Sequence, residues 1–70
     1  MREDLTLRER EILDLVGRGL RNREIATAIG ISERTVEWNL SRVYRKLGVR
    51  SKLELVARIA ETTWAGERRE

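Results

Sequence analysis

A helix in this chain has few places to end. There is no proline, and the five glycines stand at positions 17, 19, 30, 48 and 66. Between them the sequence is rich in Leu, Ile, Arg and Glu, which enter helices at little energetic cost. An all-α fold follows: a four-helix domain whose segments are divided where glycine permits the chain to turn. With 70 residues there is room for one domain, spanning residues 1–70. A core that small requires each helix to give up most of one face to it. Residues 1–4 and 65–70 are expected to fray.

Caps and periodicity place the helices. Thr6 with Glu9 three residues on forms a capping box, and Ile12, Leu13 and Val16 recur at helical spacing, with Leu15 widening the apolar face. Gly17 and Gly19 end that helix. The second is short, Asn22 to Ile29, with Ile25, Ala26 and Ile29 inward and Gly30 closing it. Its N-cap is either Arg21, a poor cap, or Asn22, which would start the helix one residue later. The third begins at the Ser32 cap and carries Val36, Leu40, Val43, Tyr44 and Leu47 as an apolar stripe up to Gly48. Ser51 caps the fourth, with Glu54 completing a capping box and Leu53, Val56, Ala57 and Ala60 assigned to the core. Beyond Thr63 the pattern fades, and Trp64 either packs back or lies exposed.

Composition excludes several functions. Cysteine and histidine are both absent. Disulfides, thiol nucleophiles, thiolate metal sites and the commonest general base go with them. No cofactor or metal is expected, and an enzyme is the poorest reading, because the remaining acids and Lys46 form no acid–base pair. No segment has the roughly 18 consecutive apolar residues of a membrane span, and the N-terminus lacks a signal-peptide layout. A cytoplasmic protein is expected.

The net charge of +3 is unevenly distributed. Residues 1–31 carry six basic and six acidic side chains, and residues 53–70 carry three basic and four acidic. Residues 32–52 carry Arg34, Arg42, Arg45, Lys46, Arg50 and Lys52 against Glu33 and Glu37. One segment thus holds the whole excess, as when a single element meets a polyanion. A solvated basic helix face would produce the same pattern, so charge alone does not decide.

The run from Ile25 to Val36 adds the deciding context. A short helix, a tight turn at Gly30 and a longer helix from a Ser cap make a helix-turn-helix, with small Ala26 allowing close approach and Ile31 and Val36 pinning the crossing. Four ordered blocks then carry a family resemblance: Leu5 to Leu13, Asn22 to Ala26, Ile31 to Val36, and Lys46 to Val49. They closely resemble the LuxR/NarL-type helix-turn-helix family, from about Leu5 to Ala60. Within it, Thr35 to Trp38 and Ser41 to Ser51 are most similar to the C-terminal domains of large ATP-binding LuxR regulators. The resemblance implies a DNA-reading third helix and dimers formed through the fourth. It implies sequence-specific binding of double-stranded DNA in bacterial transcription regulation, with RNA polymerase a further candidate partner. Two positions depart from the family: Asn39 where it usually has His, and Arg21 where it has Ser or Thr. Asn39 is expected to weaken function without abolishing it. Arg21 either weakens capping by about 1 kcal/mol or adds a phosphate contact.

The face of the third helix opposite its apolar stripe shows Arg34, Glu37, Trp38, Ser41, Arg42 and Arg45. By resemblance the base-reading places fall on Glu37, Trp38 and Ser41. A carboxylate at 37 can accept from cytosine N4. Trp38 either packs on a thymine methyl or forms a lid over the helix boundary. Arg23, Arg34, Thr35, Arg42, Arg45 and Lys46 are assigned to phosphate. Arg50 and Lys52 are within reach of an adjacent phosphate, Arg50 being the better candidate for simple solvation. Glu9, Glu11 and Glu24 are read as caps or partners of nearby arginines. On the fourth helix Leu55 and Ile59 lie off the assigned core stripe, and with Thr62 they are read as a two-fold dimer contact. The other reading lets Ile59 complete the core. Two rivals remain: the promoter-reading fourth region of sigma factors, and a helical bundle that binds an acidic protein.

Overall fold

The computed structural model describes the backbone of residues 5–68 and the side chains of residues 5–61. Four helices form in order: α1 (Leu7–Gly17), α2 (Asn22–Ile29), α3 (Glu33–Leu47) and α4 (Lys52–Arg68). There is no strand among the described residues. The expected frayed positions 1–4, 69 and 70, and the side chain of Trp64, lie outside what is described. α4 does run on through residues 65–68.

Local chemistry explains the starts. Thr6 caps α1: its hydroxyl accepts from the Glu9 N–H at 3.0 Å, and the Glu9 carboxylate accepts from the Thr6 N–H at 2.9 Å. Ser32 caps α3 by accepting from the Thr35 N–H at 3.0 Å. At α2 the N-cap residue is Arg21, whose side chain makes no capping bond. The cap is completed from the other side, with the Arg21 N–H donating to Glu24 at 2.7 Å. Asn22 is therefore not the cap. It is the first helical residue, and its side chain accepts from Lys52 Nζ at 3.2 Å. At α4 Ser51 accepts from the Glu54 N–H, yet the Glu54 carboxylate takes the Arg50 N–H rather than that of Ser51. The reciprocal box predicted there is thus only half formed.

The turn between α2 and α3 depends on Gly30. Its φ of 71° lies in the left-handed region, which a side chain disfavours. The turn is closed by the Ile31 N–H donating to the Ala26 carbonyl at 3.0 Å. Gly17 stands where a helix stop is expected and serves a second purpose as well. It is the last residue of α1, and a Cβ there would sit 3.1 Å from Ile59 Cγ2. Its missing side chain lets α4 approach α1.

α3 packs on both α1 and α2, and α4 packs on α1. The core is Ile12, Val16, Ile25, Ala26, Val36, Leu40, Val43, Val49 and Leu55, with Leu13, Ile29, Tyr44, Leu47 and Ile59 half-buried against it. This corrects the face assigned to α4. Leu55 is fully buried, whereas Leu53 is 81% exposed and Val56, Ala57 and Ala60 are exposed too. The helix carries apolar residues on two sides, and the bulkier pair, Leu55 and Ile59, packs inward. The gap that Gly17 leaves at the end of α1 takes Ile59, and Leu55 turns into the core with it.

Candidate nucleic-acid interface

α3 is held by one side and presents the other. Val36, Leu40 and Val43 are buried, and Arg34, Glu37, Trp38, Ser41, Arg42 and Arg45 are all exposed. Arg34, Glu37, Trp38 and Ser41 line a single shallow depression. The three proposed base readers are therefore together on the outer surface. Trp38 is 69% exposed, so it does not form a lid over a helix boundary. Arg23 is exposed at the start of α2. Thr35 is half-buried, its hydroxyl 2.9 Å from that of Ser32.

Arg42 and Lys46 are less independent than their charge suggests. Both reach Glu9 of α1, Arg42 Nε at 3.3 Å from Oε2 and Lys46 Nζ at 2.7 Å from Oε1. The Glu9 side chain is fully buried, while those of Arg42 and Lys46 keep 50% and 33% of their surface exposed. Burial pushes the Glu9 pKa up, but hydrogen bonds from Lys46, the Thr6 backbone and Arg42, with the charge of Lys46, outweigh it. The group is held below its ordinary value. Asn39, 5% exposed, donates to the Thr35 carbonyl at 2.8 Å and accepts from Arg42 Nη2 at 3.4 Å.

The shape of α2, turn and α3 is that of a helix-turn-helix, and the comparison with known sequences agrees. The family model for bacterial regulatory proteins, luxR family (GerE), matches residues 3–59. The chain belongs to the LuxR family. That family is one of bacterial regulatory proteins, and the sigma-factor reading falls away. Among its relatives, the response regulator Rre1 of Synechocystis is 49% identical over 53 residues, 76% of this chain and 23% of that protein. A putative HTH-type transcriptional regulator of Mycobacterium bovis, Mb0914c, is 46% identical over 52 residues, 74% of this chain and 6% of that protein. The crystal structure of the response regulator ChrA, from a heme-sensing two-component system, aligns with a TM-score of 0.76 at 38% identity. That alignment covers 90% of this chain and 31% of ChrA. The chain thus spans less than a third of each of these relatives.

Within this LuxR-family domain the dimer residues require correction. Leu55 is fully buried in the core and offers no outward surface, while Ile59 is half-buried, packed toward Gly17 of α1 and off the exposed edge of α4. Thr62 lies outside the described side chains. The outward apolar edge of α4 is Leu53, Val56, Ala57 and Ala60. Lys52 is engaged with Asn22, and Arg50 is exposed. Glu9 caps α1 and pairs with an arginine, as read from the sequence, whereas one further tie was not expected. Arg58 donates to the Leu47 carbonyl at 3.2 and 3.3 Å, placing a cation at the C-terminal end of α3, where the helix dipole favours one. Glu9 is an inward-facing residue of α1, and its spacing of three and seven from Ile12 and Val16 was the available signal. Asn39 carried the same kind of signal, standing three after Val36 and four before Val43.

Proposed function

We propose that this LuxR-family domain binds double-stranded DNA sequence-specifically, with α3 in the major groove and α2 steadying it across the backbone. One observation carries the reading: α3 buries an apolar face and exposes Arg34, Glu37, Trp38, Ser41, Arg42 and Arg45 on the other. Glu37, Trp38 and Ser41 read base edges, through a carboxylate acceptor, an apolar ring and a hydroxyl. Arg23, Arg34, Thr35, Arg42, Arg45 and Lys46 meet phosphates and set the register. Replacing Arg34 and Arg45 together by Ala is expected to weaken duplex binding and flatten its salt dependence by roughly one log unit per lost contact. An unchanged affinity and salt slope in that variant would overturn the groove placement.

The domain binds as a homodimer on two half-sites about one helical turn apart, through the outward edge of α4 formed by Leu53, Val56, Ala57 and Ala60. Sedimentation of a Leu53→Glu variant on DNA checks this, since a surface change there spares the core. The parent protein is a cytoplasmic transcription regulator in which this chain is the DNA-reading part, with RNA polymerase a candidate partner. Among the described residues no helix is long and apolar enough to cross a membrane. The blocks Thr35 to Trp38 and Ser41 to Ser51 favour a large ATP-binding LuxR regulator as the parent, and the small share of Mb0914c that is matched suits a parent of that size.

A further inference from the structure

The Glu9 carboxylate has no reason of packing to be charged. An apolar side chain of similar volume would fill the contact between α1 and α3 without burying an ion. The carboxylate instead gathers three donors: the Thr6 N–H at 2.9 Å, Lys46 Nζ at 2.7 Å and Arg42 Nε at 3.3 Å. Asn39 holds the same guanidinium at a second point, Nη2, 3.4 Å away. Asn39 is itself anchored on the Thr35 carbonyl at 2.8 Å. A guanidinium is planar, and its N–H bonds lie in that plane, so directional bonds from two of its nitrogens restrict how it can turn. Arg42 is thus oriented from behind, and half of its side-chain surface still faces solvent.

We propose that Glu9, a buried residue of α1 set behind the outer face of α3, is a positioning residue for DNA binding. Together with Asn39 it presents Arg42, and beside it Lys46, to the phosphate backbone in a fixed geometry. The inference rests on the reading of Arg42 and Lys46 as phosphate contacts. A cation ordered before DNA arrives loses less rotamer freedom on binding than a mobile one. The sign of the effect separates this role from simple electrostatics. Glu9→Gln raises the net charge by one, which alone would tighten binding to a polyanion. Positioning predicts weaker binding.

The test is a double-mutant cycle on the full 70-residue chain. It uses a duplex selected from a random pool, at a temperature where circular dichroism shows every variant folded. Glu9→Gln is expected to weaken binding roughly five- to tenfold, the order expected from mobilising one or two side chains. In a background carrying Arg42→Ala and Lys46→Ala, the same change is expected to bring no loss, only the slight tightening that its charge gives. Asn39→Ala, which frees the second edge of Arg42 without changing charge, is expected to weaken binding in the same direction. Should Glu9→Gln fail to fold, Arg42→Lys keeps the charge and loses the two-point grip, and a loss close to that of Arg42→Ala is expected. Binding by Glu9→Gln that is unchanged or tighter overturns the positioning role, as does an equal loss in both backgrounds. So does Arg42→Lys binding like the parent chain. If Arg42→Ala with Lys46→Ala leaves affinity unchanged, the phosphate reading itself fails and takes this inference with it.

Discussion

At Glu9 the folded chain holds a carboxyl group below its ordinary pKa, because the cations and N–H donors around it outweigh the effect of burial. As pH falls, the unfolded chain takes up this proton before the folded one does. The stabilisation is therefore complete above the ordinary glutamate value of about 4.3 and is lost as pH drops through the depressed folded value. Thermal melts between neutral pH and pH 3 are expected to fall less steeply for Glu9→Gln than for the parent chain. At neutral pH that variant is expected to be less stable by about 1–3 kcal/mol, the worth of hydrogen bonds to a buried charge. Trp38 tests the opposite kind of residue. It is 69% exposed, so Trp38→Ala is expected to leave the melting temperature nearly unchanged and to alter preference among duplexes. A large loss of stability would make it a packing residue. Both buried polar side chains among the described residues stand at helical spacing with apolar neighbours. Periodicity places Glu9 and Asn39 on inward faces. It does not show that Glu9 takes its cations from α3, or that Asn39 bonds Thr35 and Arg42 one turn away on either side in its own helix.

At the level of elements, the helix starts were legible because caps are local. Thr6 and Ser32 satisfy free N–H groups within three residues of themselves. Ser32→Ala is expected to destabilise the domain by about 1 kcal/mol, the usual value of a Ser cap, measured by denaturant titration. The orientation of α4 was not legible. Its sequence offers two apolar edges about a third of a turn apart, and choosing between them depends on what α1 provides. The gap left by Gly17 admits Ile59, and that fixes the rotation which buries Leu55. Leu55→Ala is accordingly expected to cost about 2–5 kcal/mol as a core truncation, whereas Leu53→Ala should change monomer stability by less than about 0.5 kcal/mol. Equal effects from the two would contradict this rotation of α4.

Over the whole molecule, three helices form a platform that turns one face of α3 outward, and the excess positive charge lies on or beside that face. α1 braces α3 from behind through Glu9, α2 crosses it through the Gly30 turn, and Arg58 of α4 ties down its C-terminal end. The class of fold and the outward face of α3 followed from periodicity, because an amphipathic helix shows both sides of itself in sequence. The most direct test is selection of duplexes from a random pool by the parent chain and by a variant carrying Trp38→Ala and Ser41→Ala. A defined motif is expected for the parent and a changed or blurred one for the variant at the positions those residues read, with phosphate-driven affinity retained. No preference among duplexes for the parent chain, or the same motif for both proteins, would contradict base reading by Trp38 and Ser41.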